Sequence, residues 1–189
     1  QSSTVWHTQK CRKKRLPRRC DVIGSAQQMQ WLQRQLEAAK DGRVGWVSRL
    51  MQEVIPFNRP HRLRVVSISS DECQVSLPWR RRNLNHLRTM HACALATAAE
   101  YASGLCVLSA IGVEGKRLIM SHLAMTYQRR AESPCLATAK LPEVELEALQ
   151  DALKREGRGS FVLHSVVQDA AGDVVAEAAI TWHGKLTKR

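Results

Sequence analysis

Along this chain the spacing of apolar residues switches between helical and alternating periods, and each switch marks an element. Met29, Leu32, Leu36 and Ala39 recur at three- and four-residue intervals, which predicts an amphipathic helix. Ser25 with Gln28 resembles a capping box at its start, and Asp41-Gly42 ends it. Val47, Leu50, Met51 and Val54 predict a second, shorter helix over residues 44–54, closed by Pro56. After Pro60 the period becomes two. Leu63, Val65 and Ile68, then Cys73, Val75, Leu77 and Trp79, predict two strands joined by a polar turn over 69–72, with Pro78 marking a bulge or strand end. A polar loop over 80–90 leads into residues 91–112, which are apolar almost all round and predict a buried helix. Strands follow over 117–129 and 135–141. An amphipathic helix over 142–155 carries Glu143, Glu145 and Glu147 at its positive end and Lys154 and Arg155 at the other. The last two strands, 160–168 and 173–182, flank a turn at 169–172 and form a hairpin.

The core order is strand, strand, helix, strand, strand, helix, strand, strand. One long helix among mainly antiparallel strands predicts an α+β fold in which a curved sheet wraps that helix, with two extra N-terminal helices packed outside. Ala92, Ala94, Ala96, Ala98, Ala99, Ala102 and Gly104 supply the small side chains that close helix-to-sheet approach requires. The expected organisation is a basic, disordered arm over 1–24, the helix pair over 25–54 and the main domain over 55–189.

Charge changes the picture only at one end. The chain has 189 residues with 29 Lys and Arg against 17 Asp and Glu, a net of +12. Lys10, Arg12, Lys13, Lys14, Arg15, Arg18 and Arg19 precede the first acid, Asp21, and without those seven the balance is 22 to 17. The folded part is thus only moderately basic, so nucleic acid is not its expected partner, although the arm could touch nucleic acid or anionic lipid. The six cysteines show no CxxC pair and no zinc-like spacing, which points to a reduced, cytoplasmic setting and to no metal site. No secretory segment is evident. His122, His164 and His183 fall in separate strands, and His86 lies in the loop.

Glu100 is the one charge inside the apolar helix. Burying an ionised carboxylate costs several kcal/mol, so such a group is paired, held protonated or put to use. Two plainer readings compete: a membrane span, against which stand the Ala-rich composition and a central charge, and a core helix whose Glu100 pairs with an arginine. Thr97, Glu100 and Ser103 share one face. Thr97 and Ser103 could equally bond back to helix carbonyls.

The segment from Asn85 through His91 to Glu100 resembles the signature of hotdog-fold acyl-CoA thioesterases: an Asn, a His-Gly-Gly-type turn opening the central helix, and an acid nine residues after that His. The likeness runs over roughly 55–185, includes Thr126-Tyr127 and Thr181-Trp182, and is closest to the branch called domain of unknown function 4442. Ala92 and Cys93 replace the two glycines, and Glu100 replaces the usual Asp. The resemblance implies a hotdog fold and thioester hydrolysis, with Glu100 as base or nucleophile and the Ala92 N–H as oxyanion donor. It also implies that Asn85 orients water or substrate and His91 shapes the helix start. Ser121 lies near the place where a Ser or Thr often assists.

Arg80, Arg81, Arg82, Arg129 and Arg130, with Tyr127, are the candidate contacts to substrate, guanidinium being suited to the phosphates of coenzyme A. No cofactor is expected beyond coenzyme A as part of the substrate, and the thioester could also be carried by acyl carrier protein. If the helix begins near His91, Ala92 and Glu100 stand about 12 Å apart along it at ~1.5 Å per residue. One chain could not bring both to one carbonyl, so a homodimer with shared sites is expected, able to pair again into a tetramer. The alternative is a non-catalytic acyl-thioester-binding or regulatory protein, which the replaced glycines suit.

Overall fold

The computed structural model describes residues 26–40 and 44–187; the basic arm, with Cys11 and Cys20, and the Ser25 cap lie outside them. Six strands form one antiparallel sheet: β1 (Arg64–Ile68), β2 (Glu72–Leu77), β3 (Lys116–Tyr127), β4 (Cys135–Lys140), β5 (Arg158–Gln168) and β6 (Val174–Leu186). Its spatial order is β1-β2-β4-β5-β6-β3. The chain therefore leaves β2, runs through the central helix α3 (Ala92–Ile111), lays β3 at the far edge, and returns to pair β4 with β2. This crossover was not legible in the spacing.

Helix α3 is held in the concave face of the sheet, and from Tyr101 to Val107 every residue is buried. It has the length and hydropathy of a membrane span, but two thirds of that window is covered by the protein itself. Small residues set the approach distance. A Cβ at Gly104 would come within 3.2 Å of the Trp182 ring, and the Trp182 indole N–H donates to Ser103 Oγ at 3.1 Å. Ser103 Oγ in turn donates to the Glu100 carbonyl and Thr97 Oγ1 to the Cys93 carbonyl, so both hydroxyls bond back into the helix.

Outside the sheet edge lie α1 (Ala26–Lys40) and α2 (Val44–Val54), which bury Leu32, Leu36, Ala39, Val47 and Met51. Ser48 fastens α2 to the edge strand, accepting from the Val65 N–H at 2.6 Å and donating to the Val65 carbonyl beside a bulge in β1. That contact uses backbone groups of an edge strand that would otherwise be open. Helix α1 is tied to the end of α3 by three polar contacts. Lys40 Nζ donates to the Ser109 carbonyl at 2.9 Å, Gln33 Oε1 accepts from the Val113 N–H at 2.7 Å, and Gln30 Nε2 donates to Glu114 Oε1 at 3.0 Å.

Helix α4 (Glu143–Glu156) packs Leu149 and Leu153 over Gly159 and Gly184, which face each other across β5 and β6. The final hairpin turns at 169–172, where Asp169 Oδ1 accepts from the Ala171 and Asp173 N–H groups and Gly172 takes φ +87. β5 and β6 are longer than predicted, because Arg158 and Gly159 pair with Lys185 and Gly184 although glycine weakens the strand signal. β2 ends at Leu77, before Pro78, and Trp79 lies outside it.

Candidate functional site

The start of α3 is built by residues that follow β2. Asn83 is fully buried: its Nδ2 donates to the carbonyls of His61 (3.0 Å) and Pro78 (2.9 Å), and its own carbonyl accepts from the His91 N–H at 2.8 Å. The preceding N–H, that of Met90, is taken by the Ala131 carbonyl. His91 then caps the helix, its Nδ1 accepting from the Cys93 N–H at 3.0 Å, which puts the proton of the neutral ring on Nε2. Among the described residues no acceptor meets the Ala92 N–H, and Ala92 and Cys93 are both exposed. A donor that is free, at the positive end of a helix, suits a developing negative charge.

Ala92 lines a cleft of 320 Å³ together with Asn85, Tyr127, Arg129 and Arg130. The Tyr127 hydroxyl donates to the Ala92 carbonyl at 3.1 Å, and burial holds that phenol above its ordinary range. Arg129 pairs with Asp173 at 2.6 Å. Asn85 spends its side chain on its own loop, Nδ2 donating to Thr89 Oγ1 and Oδ1 accepting from the Leu87 and Thr89 N–H groups, which leaves one amide proton without a partner among the described residues. Arg80, Arg81 and Arg82 line neither this cleft nor the one beside Glu100. Arg81 and Arg82 are exposed on a short 3-10 turn, while the Nη1 of Arg80 is buried and meets no partner among the described residues. Ser121 is exposed on β3.

Glu100 opens into a separate cleft, also of 320 Å³, between α3, the two outer helices and the inner face of β3. Apart from Glu100 and Lys116 its walls are apolar or aromatic, apart from one glycine. Glu100 takes part in none of the ion pairs or side-chain hydrogen bonds found among the described residues, and desolvation raises its carboxyl above the usual 4.5. Of the outcomes open to a carboxylate in an apolar helix, pairing with an arginine is thus not the one taken. The structure brings Asn85, Ala92, Tyr127, Arg129 and Arg130 together and leaves Glu100 about 12 Å further along α3, at ~1.5 Å per residue.

His122, His164 and His183 are exposed on the strands, and no group of three metal-ligating side chains forms among the described residues. Asn83 had no sequence signal, since a buried Asn in a polar loop looks like any loop Asn. The contribution of Met29 and Leu32 to the Glu100 cleft was also hidden, because helical spacing predicts burial but not against what.

A sheet rolled on one central helix, with a second helix outside it, defines a hotdog domain. Residues 44–183 match the family described as domain of unknown function, DUF4442, and the chain belongs to that family. Among solved structures, a Pseudomonas aeruginosa protein of unknown function, described as a probable thioesterase, is similar with a TM-score of 0.68 at 24% identity, over 79% of this chain and 95% of its own. A Chlorobaculum tepidum protein of unknown function reaches a TM-score of 0.69 at 16% identity over 79% and 98%. A Haemophilus influenzae thioesterase reaches 0.58 at 14% identity over 70% and 85%. At such identities the likeness is one of fold. No curated protein matches the chain.

Proposed function

We propose that the chain hydrolyses acyl thioesters as a homodimer with two sites, each built from Glu100 of one copy and the α3 N-terminus of the other. The observation that carries this reading is an unpaired carboxylate, raised by burial, in an apolar cleft of the same helix that offers a free N–H at its positive end. The distance between them within one chain asks for a second copy. β3 supplies a surface for it: twelve residues long, paired on one side only among the described residues, and exposing Ile119, Met120 and Tyr127. Two such edges meeting about a two-fold axis would extend the sheet and turn the two core helices toward each other.

In this arrangement ionised Glu100 takes a proton from water as the oxygen adds to the thioester carbonyl. The Ala92 N–H of the other copy receives the oxyanion. Collapse breaks the C–S bond, and the proton held by Glu100 goes to the leaving thiolate. Arg129 and Arg130 beside the Ala92 cleft would meet the phosphates of the carrier.

The test is a panel of short, long and aromatic acyl-CoAs with wild type, Glu100→Gln and Glu100→Ala. Turnover by wild type and loss of about a hundredfold or more in both variants is expected for general-base work. Equal slow turnover by all three would remove the catalytic reading. A second reading, binding without hydrolysis, is favoured by the exposed Cβ groups of Ala92 and Cys93, which narrow the space where a thioester carbonyl would rest.

A further inference from the structure

We propose that the α1–α2 hairpin roofs an acyl pocket and sets the chain length the protein accepts, with straight chains of medium length preferred. This inference rests on the acyl-thioester reading of Glu100 and goes beyond it to substrate class.

The cleft beside Glu100 runs along α3 from Glu100 to Leu108, about 12 Å at ~1.5 Å per residue. Glu100 stands at its N-terminal end, where the reacting carbonyl belongs. Val113, just beyond the helix, lines the opposite end. Gly104 lies midway, and the Trp182 ring, packed against it, forms part of the apolar wall there. At roughly 30 Å³ for each water-sized group, 320 Å³ holds about ten heavy atoms. Length and volume thus agree on a medium chain, and the apolar walls exclude the polar carrier from the pocket.

The remaining wall comes from outside the rolled sheet. Met29 and Leu32 of α1, with Val54 and Ile55 at the end of α2, face the cleft. The bonds from Gln33 and Lys40 to Val113 and Ser109 hold α1 down at the Val113 end. A roof fixed there cannot lift to admit a longer tail without breaking those bonds, whereas among the described residues no side-chain hydrogen bond ties α1 to α3 at the Glu100 end. Met29 and Leu32, two of the four residues in the apolar stripe of α1, therefore measure the substrate.

The experiment compares hydrolysis of butyryl-, octanoyl-, dodecanoyl- and palmitoyl-CoA by wild type, Leu32→Ala, Met29→Trp and Trp31→Ala, the last on the exposed face of α1 and outside the cleft. Wild type is expected to prefer octanoyl. Leu32→Ala should move the preference to dodecanoyl and Met29→Trp to butyryl, each changing the ratio by about tenfold, the discrimination a methylene or two gives in an apolar pocket. Trp31→Ala should keep the wild-type order. In parallel, displacement of a fluorescent fatty acid by alkyl-CoA thioethers of the same lengths reads the pocket without hydrolysis. If no thioester is turned over but thioether binding follows the same order and shifts with the variants, the pocket stands and the hydrolase falls. An order unchanged by both Leu32→Ala and Met29→Trp, or no chain bound by wild type, overturns the inference even if hydrolysis is real. Should Met29→Trp fail to fold by circular dichroism, the shift in Leu32→Ala decides.

Discussion

Asn83→Ala tests whether a buried amide in the loop before α3 holds the N-terminal end of that helix. The wild-type side chain donates to two carbonyls, of His61 and Pro78, and its Oδ1 lies 3.2 Å from His61 Nδ1. Truncation leaves both carbonyls without their donor and takes away the imidazole partner. An unsatisfied buried group costs about 1–3 kcal/mol, and because His61 and Pro78 are only partly buried the lower half of that range applies to each. The expected loss is about 3 kcal/mol, or roughly 6–12 °C in Tm for a chain of this size. Urea unfolding measures the first and calorimetry the second. Asn83→Asp keeps the acceptor toward His61 but aims a carboxylate at two carbonyls, and should cost more than alanine once that group ionises. Because the Asn83 carbonyl also receives the His91 N–H, wild-type-like stability would have to come with an intact helix start. A loss below about 0.5 kcal/mol, the level of an ordinary surface substitution, would refute the assigned role.

Glu100→Gln should be stabilising at neutral pH and neutral in acid. Below 4.5 the carboxyl is uncharged in folded and unfolded chains alike; as pH rises through 4.5 the unfolded chain ionises first, so wild type loses stability until the raised folded value is passed. Parallel thermal melts from acid to neutral pH check this, and coincident curves throughout would contradict the raised carboxyl. Ile119→Lys, at an edge residue 62% exposed, should shift sedimentation velocity toward the monomer and reduce turnover together, since like charges would face each other across the two-fold. A dimer that survives with full activity places the interface elsewhere. Gly159→Val should cost about 1–3 kcal/mol by overpacking, as a Cβ there would lie 3.0 Å from Leu149 Cδ1 and 3.1 Å from Ala152 Cβ. Adding Leu149→Ala should recover part of that loss in a double-mutant cycle, and strict additivity would deny the contact.

Local spacing was enough to place both α-helices and all six strands of the hotdog domain within a few residues, because most of these elements are amphipathic or buried and most have a Gly, Pro or Asp at one end. Long-range order was not written there. Nothing in the composition of β3 says that it passes β4 and β5 to pair with β6, since strand neighbours are chosen by complementary faces in space. The site divided in the same way. Glu100 stood out as a lone charge in an apolar run, and His91 as a cap, since both signals are local. Asn85 matched by position, yet its geometry is that of a residue stabilising its own turn. Arg80, Arg81 and Arg82 were chosen for charge alone and lie apart from both clefts, whereas Arg129 and Arg130 reach the α3 N-terminus because the end of β3 delivers them there.

The position of β6 between β5 and β3 has a consequence for synthesis. β3 leaves the ribosome some fifty residues before β6, its one partner strand among the described residues, so its backbone must wait, solvated, while β4, α4 and β5 are made. Such distant pairing makes closure slow and leaves a twelve-residue strand open to wrong partners in the interval, a hazard for which nascent-chain binding factors exist.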